Sequence, residues 1–137
     1  MDYFLIIFVI VLGLALALLL FSSPSGQAHQ KKKQSLHAEF VAYASDIKSA
    51  SRGELRDLIV RMDKTLADIL RFYNGNEDTI GENLKLMRKK LEKHEMDKLW
   101  KYHKIRNRVV HDSLVADADT VYAMYNCYLT LINKLLG

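Results

Sequence analysis

Cysteine and proline occur once each, as Cys127 and Pro24. A lone cysteine permits no disulfide within the chain and fits a reducing compartment. With Pro24 as the only helix breaker and no sustained period-two alternation of apolar residues, helices should dominate. No glycine-rich phosphate loop and no internal repeat are found. From Tyr3 to Phe21 there is no charged residue at all, and only Gly13 interrupts the large apolar side chains.

That uncharged stretch is the most informative segment. As a helix, at about 1.5 Å rise per residue, it is roughly 28 Å long, close to a bilayer core of about 30 Å. Lipid leaves the backbone no other partners, so such a segment is helical there. A cleaved secretory signal predicts a basic start, a shorter apolar core and a small-residue cleavage site. Here only Met1 and Asp2 precede the span, and the weak site at Gly26 and Ala28 runs straight into Lys31, Lys32 and Lys33. Residues 1–21 are therefore expected to be a retained single-pass transmembrane anchor. The triple lysine places the following residues on the cytoplasmic side, where it also meets anionic headgroups. Residues 22–34, rich in Ser, Gly, Gln and Lys, read as a flexible basic stalk.

All 20 Lys and Arg follow the span, whereas of the 16 Asp and Glu only Asp2 precedes it. Residues 35–137 are thus a basic segment, long enough for one modest core. The first helix is expected from about Ser35 to Ala50, with Leu36, Phe40, Tyr43 and Ile47 on one face. Ser51-Arg52-Gly53-Glu54 reads as a capping box. It opens a helix carrying Leu55, Leu58, Ile59, Met62, Leu66, Ile69, Leu70 and Tyr73, which Asn74-Gly75 ends. Thr79-Ile80-Gly81-Glu82 is a second capping box, with Leu84, Met87 and Leu91 inward after it. A break is expected around Lys93 to Asp97, then a helix through Leu99, Trp100 and Ile105 to Val109 or Val110. A loop from His111 to Asp119 leads to a last helix with Val121, Tyr125, Tyr128, Ile132 and Leu135 inward. The fold class is all-α: an N-terminal transmembrane helix plus a four- or five-helix bundle.

Charge is concentrated in one place. Ten Lys and Arg fall between Lys85 and Arg108, opposed only by Glu92, Glu95 and Asp97. Such a stripe attracts phosphates irrespective of sequence and with strong salt dependence. Trp100, Tyr102 and His103 are interleaved as base stacking requires. Lys89, Lys90, Lys93, Lys101, Lys104 and Arg108 are the candidate nucleic-acid contacts. A solvated face, or one opposed to anionic lipid, is the plainer reading of the same residues.

Within this stripe, Ile105-Arg106-Asn107-Arg108-Val109-Val110-His111-Asp112 resembles the Arg-x(4–6)-His motif of the HEPN superfamily. Asn107 matches the polar residue that often follows the arginine, and the apparent match covers roughly Leu36 to Leu136. The resemblance implies a HEPN-like helical bundle that dimerises and brings two motifs into one cleft. It also implies metal-independent cleavage of RNA, with no cofactor, in stress, toxin or defence responses. His111 would serve as general base or acid, its reference pKa near 6.5 allowing both roles. Arg106 would stabilise the phosphorane-like transition state with its permanently charged fork, and Asn107 would orient His111 or a phosphate oxygen. A HEPN subgroup that works with nucleotidyltransferases has Tyr two positions after the His; position 113 is Ser, so that partner system is not carried over.

Helix geometry constrains this reading. At about 100° per residue, Arg106 and His111 point about 140° apart, whereas Asn107 and His111 share a face. Convergence requires the arginine to reach round or the helix to end near His111. The non-catalytic alternative makes His111 a partner of the helix dipole and Arg106 a surface ion-pair partner of Asp112 or Asp97. The chain is then a binding module for protein, nucleotide or anionic lipid, held at the membrane. A second copy of the chain, RNA and an unidentified protein are the expected partners.

Other candidates are weaker. His94-Glu95 begins like a zinc-protease helix, but Lys98 stands where the second His belongs. His29, His37 and His103 lack ligand spacing to one another, so no metal site is expected. Cys127, among Tyr125, Asn126 and Tyr128, reads as packed rather than nucleophilic.

Overall fold

A computed structural model of the chain describes residues 2–21 and 24–137, and every regular element among them is a helix. In chain order these are α1 (Asp2–Phe21), α2 (Pro24–Ser49), α3 (Arg52–Asn74), α4 (Ile80–Met87), α5 (Lys93–His111) and α6 (Ala118–Leu136). The chain divides into two compact units at Ser35/Leu36.

In the first unit, the large apolar side chains between Tyr3 and Leu19 are exposed, Phe4 to 84%. Among the described residues no single helix is long and apolar enough to cross a membrane by itself; Tyr3–Leu19 meets that requirement only together with Pro24–Ser49. The expected flexible stalk differs from what is found. Ser22 and Ser23 lie outside the described residues, but from Pro24 onward the segment is helix. Proline tolerates a first helical turn, and Gln, Ala and Lys are good helix formers. The first helix therefore begins well before Ser35.

The second unit is an all-helical bundle built around α3. Its buried face carries Leu55, Leu58, Ile59, Met62, Leu66, Ile69 and Leu70, as the periodicity predicts, and α4, α5 and α6 pack on it. From α2, Leu36, Phe40, Tyr43 and Ile47 are buried. Phe40 stacks on Tyr125 of α6 with ring centroids 5.5 Å apart. Tyr43 reaches α3, its hydroxyl 3.0 Å from Thr65 Oγ1, which in turn donates to Glu39. Tyr73, expected inside, is 38% exposed; its ring carries the Lys90 ammonium 4.6 Å from the centroid.

Local chemistry sets the helix ends. The Ser51 backbone N–H donates to the Glu54 carboxylate at 2.6 Å, closing the first capping box. Gly75 takes the left-handed conformation at φ 66°, and its N–H and that of Asn76 both donate to the Arg71 carbonyl. The next loop is held by the buried Asn83 amide, which exchanges hydrogen bonds with Asn76 and accepts one from Asn74 at 2.7 Å. Thr79 Oγ1 accepts the Glu82 N–H at 3.3 Å, but the Glu82 carboxylate takes the Lys85 ammonium at 2.7 Å, so the expected second capping box is only half made.

The break between the third and fourth bundle helices comes earlier than expected. α4 stops at Met87, leaving Leu91 only partly buried, and α5 is already helical at Lys93. The reason is a capping box at Glu92: its N–H donates to the Glu95 carboxylate at 2.9 Å. On α6, Met124, Leu131 and Leu136 are buried beside Val121, Tyr125, Tyr128 and Ile132, while Leu135 is only partly buried. Asp117 caps this helix by accepting the Thr120 N–H at 2.7 Å, which shortens the expected loop.

Candidate functional site

Three helices meet at a single buried carboxylate. Asp63 lies on α3 between Ile59 and Leu66, on a buried face whose other polar residue is Thr65, and its side chain is 4% exposed. A carboxylate there is tolerated only if its oxygens are satisfied. From α6 the Tyr128 hydroxyl donates to Oδ1 at 2.9 Å, and from α5 His103 Nδ1 lies 3.2 Å from the same oxygen. Arg106 Nε lies 3.3 Å from Oδ2. That contact is an ion pair rather than a hydrogen bond, since Nε is buried without an aligned acceptor.

Asn107 closes the cluster. Its Oδ1 accepts from Arg106 Nη1 at 3.0 Å, and its Nδ2 lies 3.5 Å from His103 Nε2. His103 and Asn107 are four residues apart and so share one face of α5; Arg106 reaches round to it, as its length allows. Burial, followed by the Asp63 charge, pushes the Tyr128 phenol well above its ordinary range, so it remains a donor.

The sequence-predicted site residues thus part into two groups. Arg106 and Asn107 belong to the buried cluster. His111 does not: it is the last residue of α5, is exposed, and makes no hydrogen bond or ion pair among the described residues. Asn107 is committed to Arg106 and His103 and is not hydrogen-bonded to His111. Arg106 pairs with Asp63, not with Asp97 or Asp112. The helix does end at His111, beyond which Ser113 adopts φ 56° while the Asp112 and Leu114 N–H groups return to the Arg108 carbonyl.

The candidate nucleic-acid contacts Lys89, Lys90, Lys93, Lys101, Lys104 and Arg108 are all exposed. Lys101, Lys104, Arg108 and His111 recur at spacings of three, four and three, placing them along one face of α5. Lys101, Lys104 and Arg108 have no carboxylate partner among the described residues, so this face keeps its positive charge. Tyr102 and His103 do not share it. Tyr102 is buried against Tyr128, ring centroids 6.5 Å apart, and His103 faces Asp63. Trp100 is only partly buried, its ring edge near Gly81. The expected stacking platform is therefore absent for Tyr102 and His103, because helical spacing turns them into the bundle.

Asp63, His103 and Tyr128 are the residues that sequence reasoning missed. The signal for Asp63 was a charged residue on the apolar face of a helix, which demands partners. His103 reads as an isolated surface histidine until α3 is packed against α5.

Cys127 is half-buried and lines a small cavity of about 140 Å³ together with Leu91, Leu99, Leu131, His94 and Lys98. Burial raises its thiol above the ordinary value, which disfavours the thiolate and nucleophilic use. Among the described residues no group of three or more His, Cys, Asp or Glu side chains converges as a metal site. The structure defines the class of protein as an all-α bundle with a buried Asp63-centred cluster beneath a cationic helix face. Compared with family models, curated proteins and solved structures, the chain has no match in any of the three.

Proposed function

We propose that the chain is a membrane-anchored, HEPN-like, metal-independent endoribonuclease acting as a homodimer at the cytoplasmic face, in a stress, toxin or defence response. The observation that carries this reading is His111, exposed at the end of the cationic Lys101–Lys104–Arg108 face, one and a half turns beyond Arg106. That face would draw in the phosphate backbone. The RNA 2′-oxygen forms a bond to phosphorus and the bond to the 5′-oxygen breaks. His111 takes the 2′-hydroxyl proton, and His111 of a second copy returns a proton to the leaving oxygen. Arg106, held from behind by Asp63 and Asn107, supplies charge to the transition state. The RNA provides its own nucleophile. The exposed apolar surface of Tyr3–Leu19 supports the anchor, since chains rarely leave such a surface in water. Lys31 to Lys33 support the inward orientation. Confinement to the membrane plane would raise the local concentration and favour pairing of two copies.

One observation favours a second reading. Arg106 is already neutralised by Asp63, as suits a structural role, and the cationic face would then bind RNA or anionic lipid without cleaving it. Purified chain incubated with RNA in EDTA separates the two. The nuclease reading expects cleavage that Arg106→Ala and His111→Ala abolish. Cleavage at the same rate by wild type and both variants would refute it. Salt-sensitive RNA binding without cleavage would establish the binding module, and binding to anionic vesicles by protein lacking residues 1–21 would identify lipid as its ligand.

A further inference from the structure

The buried cluster is a directed ring, and the direction depends on one proton. His103 Nδ1 faces Asp63 Oδ1 at 3.2 Å, an acceptor-only carboxylate, so Nδ1 carries hydrogen. Its Nε2 faces the Asn107 amide nitrogen, a donor, so in the neutral ring Nε2 accepts. The Asn107 oxygen on the other side accepts from Arg106. Each of these three donors, the His103 Nδ1–H, the Asn107 amide and Arg106 Nη1, meets an acceptor only if His103 is neutral and protonated at Nδ1.

We propose that His103, as this Nδ1–H tautomer, is the positioning residue that fixes Asn107 and, through it, the Arg106 fork, and that protonation of His103 releases Arg106. A second proton on Nε2 sets that nitrogen against the Asn107 N–H groups. The amide has one oxygen and cannot offer it to His103 and Arg106 at once. The imidazolium also competes with Arg106 for the one carboxylate. The charged and titratable groups facing His103 are Asp63 from α3, Tyr128 from α6 and Arg106 from α5 itself; Trp100 adds only an uncharged ring edge at 5.9 Å. Tyr128 stays protonated, so Asp63 is the sole anion and cannot hold two cations as well as one. The inference deepens the nuclease reading and rests on it only where cleavage is measured.

The test uses the full chain in detergent micelles. Nitrogen NMR of the imidazoles, with His103 assigned by loss of its signals in His103→Gln, is expected to show the Nδ1–H tautomer above neutrality; an Nε2–H tautomer overturns the proposal. The Arg106 Nε–H resonance is followed across the range in which imidazoles titrate, about pH 8 to 5. It is expected to be sharp at the upper end and lost at the lower end in wild type, but to persist in His103→Asn, whose amide N–H replaces Nδ1–H and does not titrate. A resonance with the same pH course in both overturns the release of Arg106. In the cleavage assay, His103→Ala is expected to lower kcat about 100-fold, the scale of a misplaced catalytic group, with KM unchanged. His103→Asn is expected to restore most of kcat and to lessen the loss toward acid pH. Wild-type kcat and pH profile in His103→Ala overturn the positioning role. If wild type cleaves no RNA, the nuclease reading fails, and the tautomer and Arg106 resonances still decide this inference.

Discussion

At the scale of single residues, Asp63 is the side chain on which the polar cluster depends. Its carboxylate accepts from a hydroxyl and an imidazole N–H and pairs its charge with a guanidinium inside the bundle. Asp63→Ala leaves these groups facing a void, one of them charged. Removing one partner of a buried pair typically destabilises by about 3–5 kcal/mol. Arg106 is 30% exposed and so partly solvated, which lowers the expected loss to about 2–3 kcal/mol, measurable by chemical denaturation. Tyr128→Phe removes one donor and is expected to lose about 1–2 kcal/mol. It also changes the alkaline response. The folded phenol titrates well above its ordinary 10.0, so its contribution is full below that value and is lost as pH rises through the folded one. Wild type should therefore lose more stability than Tyr128→Phe when melts are followed above about pH 10. Equal slopes would show that the hydroxyl is not buried against a carboxylate.

At the scale of elements, the caps are what the amino-acid sequence displays most openly. Ser51 with Glu54, and Asn74 before Gly75, mark α3 at both ends because each cap is a local hydrogen-bond exchange that needs no distant partner. Gly75→Ala places a β-carbon on backbone at φ 66° and is expected to cost about 1 kcal/mol. Ser113 occupies the same region after α5 at φ 56°, so Ser113→Gly is expected to stabilise by up to about 1 kcal/mol. The start of α5 is harder to read, since glutamate is an uncommon cap and only the Glu92–Glu95 exchange reveals it. Glu95 is further tied to Lys134 of α6. The Lys134 hydrogen bond, with that from the Glu92 backbone, holds its carboxyl below the ordinary 4.5. A depressed carboxyl contributes stability above its unfolded value and loses it as pH falls through the folded one. Glu95→Gln should accordingly flatten the acid side of a melting-temperature profile; an unchanged acid slope would place the Glu95–Lys134 contact outside the energetics of folding.

At the scale of the whole molecule, the unit from Leu36 to Gly137 has a core of its own. A chain beginning at Ser35 is expected to melt cooperatively, with a midpoint within a few degrees of full-length protein in detergent. Non-cooperative melting would show that residues before Leu36 complete the fold. Phe40→Ala in that chain removes the ring that joins α2 to Tyr125 and is expected to cost about 3–5 kcal/mol, enough to unfold a domain of this size at moderate temperature.

Periodicity and spacing by themselves determined the helical class, most of the core faces, the caps of α3 and the concentration of cations on α5. These are local properties, set by 3.6 residues per turn and by groups within four residues of one another. Tertiary structure alone decided which polar residues form the site. Asp63, His103 and Tyr128 lie far apart in the chain and become neighbours only when α3, α5 and α6 close on one another. It also separated Arg106 and Asn107 from His111, which the motif alone had joined. The physical reason is burial: an inward carboxylate must collect donors from whichever helices pack around it, and no pattern along the chain states which those will be.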